Sequence, residues 1–237
     1  MSHGRRGTPV FVIALRTCRA VIEGRLSTVG VPLVVGAVLG MVSVSSDYLL
    51  RQPWSAVGNL AGTWVLAAFA VGARSRQPSI TRGAGSGLLS LVTAAIVYYL
   101  LTALLWPPEA IGRLVFGVIV WVLVAVAAGP VAGAAGASWR GASWPRSAQA
   151  WSRPVSVAAV AAMLFAEAMF LGLGTADADW PSLVAELAIA AALPVVLLRS
   201  LSEIAVAYGA IAVLAFVGLP LTAILMPIVF KLAGAGW

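Results

Sequence analysis

The sequence predicts an all-α fold, a polytopic bundle of about seven transmembrane helices with a cytoplasmic N-terminus and an external C-terminus. Of the 237 residues, 61% are hydrophobic and only 10% are charged, whereas about a quarter of residues are charged in soluble proteins. Apolar runs of about 20 residues, long enough to cross the hydrocarbon layer of a bilayer, follow one another along the chain. Arginines gather in alternate gaps between these runs, the distribution that the positive-inside rule describes.

The first 28 residues are expected to form a basic amphipathic segment ahead of the spans. Apolar residues recur there at spacings of three and four, as at Phe11, Leu15 and Cys18, while Arg16 and Arg19 share another face. This period is typical of a helix with one apolar side. A basic helix of this kind lies along the membrane surface. A frayed leader is the alternative interpretation.

Residues 29–237 are predicted to form a single transmembrane helical domain. The gaps between apolar runs are short and contain prolines and charged residues, so no stretch remains for a separate soluble domain. The predicted spans are 29–45, 57–73, 83–106, 112–137, 155–174, 182–199 and 204–230.

The distribution of basic residues determines the predicted orientation. With a cytoplasmic N-terminus, twelve of the 15 lysines and arginines lie inside, and only Arg51, Arg113 and Lys231 lie outside. The formal charge of +7 therefore indicates topology and contact of cytoplasmic arginines with anionic lipids, and not nucleic-acid binding. A multi-pass protein of the plasma membrane is expected.

Few residues of the sequence suit catalysis or metal binding. The single cysteine excludes a disulfide within the chain, and a single histidine argues against a histidine-based triad or a zinc site of the usual ligands. No phosphate-binding loop and no nucleophile elbow occurs. We therefore expect no enzyme, no metal and no cofactor. The expected partners are the lipid bilayer and either another membrane protein or further copies of this chain.

Small residues predict where helices approach one another, since helices in lipid associate through close backbone contact. The candidate packing positions are Gly36 and Gly40 in span one and Gly129, Pro130, Gly133 and Gly136 in span four. Packing within the chain is one interpretation of these positions, and a groove for a partner protein is the other. Val122, also in span four, is expected to face lipid.

Five stretches occur in order between about residues 34 and 175. They are GAVLGMVS, WSAVGNLAGTWVLAAFAVGA, RGAGSGLLSLVTAAIVYY, VAAGPVAGAAGASWR and MLFAEAMF. This run resembles a family of actinobacterial polytopic membrane proteins that is known only as a domain of unknown function. The resemblance implies a shared membrane architecture and brings no activity, substrate or cofactor. It points to Asn59, Trp64, Tyr98, Tyr99, Gly129, Pro130 and Glu167, and it leaves the first 27 residues without a counterpart.

Glu167 is the acidic residue that lies well inside a predicted span. Burying its charge costs several kcal/mol unless the group is paired or reached by water. Asn59, Trp64 and Tyr98 approach the same level from neighbouring spans. One interpretation of Glu167 is a ligand-binding or proton-titrating carboxylate, and the other is a protonated glutamate that hydrogen-bonds between helices. Glu186, one turn inside the end of span six, is interpreted as an interfacial carboxylate that reaches water.

Two functions from different classes fit these observations. The first is a small transporter, or the substrate-binding membrane subunit of an uptake system, with an outward-facing pocket. Its predicted substrate-binding residues are Glu167, Asn59, Trp64, Tyr98 and Glu186. The second is a non-transporting membrane subunit that scaffolds or regulates a partner protein through its glycine-rich faces and its basic N-terminal helix.

Overall fold

The computed structural model describes most of the chain as helix. The backbone is described for residues 9–51, 60–74, 79–105, 111–141, 149–174 and 180–232, and the side chains for 29–51, 60–74, 79–105, 112, 114–141, 150–169 and 180–216. Within these ranges there are helices and no strands. The predicted all-α class is confirmed.

Seven helices make up the described chain. They are α1 (Pro9–Leu49), α2 (Ala61–Ala73), α3 (Ile80–Leu105), α4 (Ile111–Trp139), α5 (Gln149–Gly174), α6 (Trp180–Leu197) and α7 (Leu201–Leu232). Each overlaps one predicted span. Five of them contain segments long and apolar enough to cross a membrane, namely Val29–Leu49, Ile80–Leu105, Leu114–Trp139, Ala150–Met169 and Trp180–Leu197. These segments indicate a membrane protein.

Helix α2 is shorter than the span predicted for it. It has 13 residues, so its length is about 20 Å, against a hydrocarbon layer of about 30 Å. The span was predicted to begin at residue 57, and residues 57–59 lie outside the described part of the chain. The described side chains of α7, Leu201–Phe216, likewise form a shorter apolar segment.

Helix α1 runs without a break over 41 residues, from Pro9 to Leu49. Its backbone therefore joins the predicted N-terminal segment to the first span. The side chains before residue 29 lie outside the described residues, so the position of that segment on the membrane surface stays a prediction. The helix also continues past the predicted end of the span at residue 45. Asp47 consequently lies in the last turn of the helix and not in a connecting loop.

Contacts between glycines and neighbouring backbones establish how the helices run. Gly36 of α1 lies against Ser90 of α3, and Gly40, one turn later, lies against Ala94. Because both positions advance together, α1 and α3 are parallel. Helix α2 runs in the opposite direction to α3, because Trp64 near its start packs against Tyr98, whereas Gly72 near its end and Gly83 at the start of α3 both contact Gly133.

The glycines of α4 lie in a seam between α2, α3 and α4. Gly133 contacts Gly72 of α2 and Gly83 of α3, and Gly129 contacts Gly87. A Cβ added at any of these glycines would collide with the backbone of the neighbouring helix. Close backbone approach of this kind is how helices associate in lipid. The remaining predicted positions are also placed within the chain, with Gly136 against Phe69 and Pro130 half-buried inside α4.

The prediction that Val122 of α4 faces lipid is wrong. Val122 is half-buried and packs against the hydrophobic core. The next residue, Leu123, is 63% exposed, and Val126 is 49% exposed. The helical rotation of about 100° per residue places the lipid-facing stripe one residue further along than the sequence suggested.

The two ends of the bundle differ in charge. One end, which we call the arginine end, holds Arg74, Arg82, Arg140, Arg153 and Arg199, each in a terminal turn of a helix or next to one. The opposite end, which we call the Glu167 end, holds Asp47, Glu167 and Glu186, and Arg51 is the one arginine with a described side chain there. The positive-inside rule predicts that the arginine end faces the cytoplasm, and this orientation stays a prediction.

Candidate functional site

Glu167 of α5 lies against the first turn of α2. Its Oε1 accepts the backbone N–H of Ala61 at 2.6 Å, and its Oε2 accepts that of Gly62 at 2.7 Å. Glu167 precedes the end of α5 at Gly174 by about two turns, or roughly 10 Å. Helix α2 therefore begins inside the bundle, below the end of the helix beside it.

The contact gives hydrogen-bond partners to backbone N–H groups at the N-terminus of α2. The first N–H groups of an α-helix have no partner within the helix, and each unpaired group costs several kcal/mol in hydrocarbon. The N-cap residue, Leu60, offers no side-chain acceptor. Glu167 pairs two of the groups, and the carbonyl of Leu60 accepts the N–H of Thr63 at 3.1 Å. A charged Glu167 would also face the positive end of the helix dipole.

The side chain of Glu186 in α6 lies against the same first turn of α2. Its side chain is 1% exposed, so the interpretation as a carboxylate that reaches water is wrong. It lies so close to Gly62 that a Cβ there would collide with the carboxyl group. Packing of α6 along α5 turns this residue into the bundle, although it lies near the helix end. Position along the helix did not reveal the direction of the side chain.

The carboxyl groups of Glu167 and Glu186 lie within hydrogen-bonding reach of each other. Oε2 of Glu186 is buried and has no hydrogen-bond partner among the described residues. The site therefore contains one carboxyl group that receives two backbone donors and a second that receives fewer. We call these two residues the carboxyl pair.

A cavity of about 170 Å³ lies beside the first turn of α2. Its wall consists of Ala61 and four aromatic side chains, Trp64, Tyr98, Tyr99 and Trp121. The ring centroid of Trp64 lies 6.2 Å from that of Tyr98 and 6.2 Å from that of Trp121. The rings of Tyr98 and Tyr99 meet edge-on at 5.0 Å. Three helices thus supply a continuous aromatic wall.

Polar side chains of α1 orient two of these rings. The indole Nε1 of Trp64 donates to Oγ of Ser43 at 3.1 Å, and the hydroxyl of Tyr98 donates to Oδ2 of Asp47 at 2.8 Å. A buried indole N–H or phenol usually requires such a partner. The second bond also brings a third carboxylate to a residue of the cavity wall.

The structure brings four of the five predicted substrate-binding residues to one end of the bundle. Glu167 and Glu186 form the carboxyl pair, and Trp64 and Tyr98 line the cavity. Ala61 connects the two features, because its N–H donates to Glu167 and its side chain lines the cavity. Asn59 lies outside the described residues. The role of all five in binding a substrate stays a prediction.

Sequence reasoning missed the contribution of Trp121. The residue lies in an uninterrupted apolar run, where a tryptophan gives no sign of a polar or ligand-binding environment. A signal was present one turn earlier, at Gly117, against which the ring of Tyr99 packs. A small residue on one helix beside an aromatic residue on the next indicates that the two helices are close together there. Asp47 was missed because it was assigned to a loop.

Residues 19–227 match DUF6518, a family of unknown function. The chain belongs to this family. The match confirms the expected membership of a family of unknown function. It does not show the expected actinobacterial origin. It also begins earlier than the resemblance did, so residues 19–27 share in the family's sequence pattern. No curated protein and no solved structure matches the chain.

The candidate site of this DUF6518 protein offers few possible metal ligands among the described residues. The described residues contain no group of three histidine, cysteine, aspartate or glutamate side chains placed to bind a metal ion. Oxygen-binding cations such as Ca²⁺ and Mg²⁺ require about six ligands, and the carboxyl pair has only two side chains.

Proposed function

We propose that this chain is a small transporter, or the substrate-binding membrane subunit of an uptake system, and that it binds a small organic cation. The cavity between α2, α3 and α4 is the proposed binding site. The observation that carries the proposal is the aromatic wall of this cavity, with carboxyl groups bonded to two of its members.

Aromatic rings attract cations through their electron-rich faces, most strongly when water is excluded. Here the ring centroid of Trp64 lies 6.2 Å from that of Tyr98 and 6.2 Å from that of Trp121, and all three rings line one cavity. The Asp47 carboxylate binds Tyr98, and the Glu167 carboxylate binds the backbone of Ala61. Rings and negative charges together favour a positively charged ligand over a neutral or anionic one.

The size of the cavity limits the ligand. An engineered protein cavity of about 150 Å³ holds benzene, and the cavity here has a volume of about 170 Å³. A ligand of this size has few non-hydrogen atoms, as in short alkylammonium ions. The cavity lies at the Glu167 end, which the arginine distribution assigns to the outside. This orientation supports uptake from outside the cell.

The alternative function, a non-transporting subunit that scaffolds or regulates a partner, loses one argument. Its proposed docking face relied on the glycines of spans one and four. In the described chain Gly36 and Gly40 contact α3, and Gly133 contacts α2 and α3. These glycines are therefore occupied by helices of the same chain.

A binding experiment on the purified protein in detergent tests the proposal. Tetramethylammonium chloride should raise the unfolding temperature above that in an equal concentration of sodium chloride. Tert-butanol, a neutral molecule of similar shape, should not. Trp64→Phe should weaken the effect, because phenylalanine attracts cations less than tryptophan. Trp151→Phe, at a residue that is 57% exposed at the arginine end, is the matched control.

Uptake by reconstituted vesicles then distinguishes a transporter from a substrate-binding subunit. Radiolabelled tetramethylammonium should accumulate in vesicles that contain the wild-type chain. Accumulation should be lower in vesicles that contain the Trp64→Phe variant. Binding without uptake would favour a binding subunit that needs a separate energising partner. Equal stabilisation by tetramethylammonium and tert-butanol would contradict a cation site.

A further inference from the structure

The two members of the carboxyl pair have unequal surroundings. Each oxygen of Glu167 accepts a backbone N–H of α2, at 2.6 and 2.7 Å. Hydrogen bonds that a carboxylate accepts, and the positive end of a helix dipole, stabilise its charged form. Glu167 is therefore the member that carries the negative charge.

Glu186 has less stabilisation, because Gly62 is the one backbone donor that reaches it among the described residues and this donor is shared with Glu167. Glu186 is 1% exposed, and its Oε2 has no partner among the described residues. Two ionised carboxylates in buried contact repel each other, so such pairs keep a proton on one member. A protonated carboxyl has an O–H that it donates, and the neighbouring carboxylate of Glu167 is within reach. The unequal surroundings assign the proton to Glu186.

A metal cation is a poorer occupant than a proton. Both oxygens of Glu167 are already engaged by Ala61 and Gly62, and Gly62 closes the space beside Glu186. No third carboxylate, histidine or cysteine among the described residues completes a metal-binding group. A proton needs neither extra ligands nor extra volume.

We propose that Glu167 and Glu186 form a proton-binding site in which a single proton, carried by Glu186, bridges α6 to α5 at the N-terminus of α2. The proposal depends on the carboxyl pair and not on a ligand in the cavity, so it stands or falls separately from the proposed function. Release of this proton would leave two negative charges beside Gly62, and their repulsion would separate α6 from α5. The first turn of α2, which also lines the cavity, contacts both carboxyl groups.

Other titratable groups occur at the same end of the described bundle. They are Asp47, Tyr48 and Arg51 at the end of α1 and just after it, and Tyr98 and Tyr99 on α3. Helix α2 has no titratable side chain between Ala61 and Ala73. Arg153 of α5 and Glu203 of α7 lie at the arginine end, 4.0 Å from each other. Assigning the proton to Glu186 therefore requires a measurement that distinguishes individual carboxyl groups.

Infrared difference spectroscopy of the full chain in lipid nanodiscs provides that measurement. At neutral pH the wild type should show a protonated-carboxyl stretching band equivalent to one group per chain, which shifts in heavy water and disappears on alkaline titration. Glu186→Gln removes the titrating proton but keeps the size of the side chain, so this band should be lost. Glu203→Gln, at a half-buried glutamate of the arginine end, should keep it.

Three results would overturn the inference. They are the absence of the band from the wild type at neutral pH, its persistence in Glu186→Gln, and its loss when sodium chloride replaces N-methylglucamine chloride at constant pH. The last result would show that a metal cation displaces the proton. The wild-type titration needs no variant, so poor folding of Glu186→Gln would still leave the first and third results decisive. Tetramethylammonium binding plays no part in these spectra.

Discussion

Glu167 and Ala61 are 106 residues apart in the chain, yet the carboxylate of the first accepts the backbone N–H of the second at 2.6 Å. The bond makes a side chain of α5 the cap of α2. A helix can begin inside a membrane bundle only where its first N–H groups find partners. Glu167 is therefore structural, whatever it also binds.

Replacement of Glu167 should destabilise the fold in a graded way. Glu167→Ala removes both acceptors and leaves two backbone N–H groups unpaired, at about 1–3 kcal/mol each. Glu167→Gln keeps one acceptor oxygen but turns an NH₂ group towards the other N–H. The two bonds of Glu167 to α2 therefore indicate an intermediate loss of stability for the glutamine variant. Thermal unfolding in detergent measures the series.

Glu203→Gln is the matched control for the Glu167 series. It makes the same chemical change at a half-buried residue of the arginine end. Glu203 is partly exposed and accepts one backbone N–H, that of Arg199 at 3.0 Å, so the free energy of unfolding of Glu203→Gln should change by less than that of Glu167→Gln. An unfolding temperature of Glu167→Gln equal to that of the wild type would show that the cap is dispensable.

Gly62→Ala should destabilise the protein because the new methyl group would collide with the Glu186 carboxyl group. Gly85→Ala is the matched control, since nothing lies within 4 Å of the Cβ position at Gly85 in α3. Alanine is favoured over glycine inside a helix by about 0.5–1 kcal/mol. The two substitutions should therefore change the unfolding temperature in opposite directions. If Gly62→Ala also raised it, Glu186 would have to lie elsewhere.

Gly133→Leu should disrupt assembly of the bundle, because Gly133 contacts the backbones of both Gly72 and Gly83. Val126→Leu in the same helix, at a residue that is 49% exposed, should be tolerated. Size-exclusion chromatography after extraction in mild detergent compares the yields of monodisperse protein. Similar yields from both variants would contradict the seam between α2, α3 and α4.

Reporter fusions test the orientation of the bundle. Fusions after Arg76, Arg146 and Arg199 should give a cytoplasmic signal, and those after Asp47, Glu109, Asp179 and Trp237 an external one, because arginine-rich loops remain inside. A cytoplasmic signal at Trp237 would mean that one helix does not cross the membrane. Helices α6 and α7 are where such an error would lie, since only Arg199 and its neighbours separate them.

The sequence determined the all-helical class, the approximate position of each helix and the collection of arginines at one end. These properties depend on apolar runs and on charges between them, which are local in the chain. It also identified Glu167, Trp64 and Tyr98 as a group at one level. The family match covers residues 19–227, more of the chain than the resemblance found from the sequence, and it adds no activity.

Only the tertiary structure decided what these side chains face. The rotation of α6 about its axis buries Glu186 against Gly62, the rotation of α4 brings Trp121 to the cavity, and the short α2 begins where Glu167 can cap it. An apolar helix in lipid is hydrophobic on all sides, so apart from its small residues its sequence carries little information about which face meets another helix. That choice depends on contacts between residues far apart in the chain, and in this protein those contacts create the site.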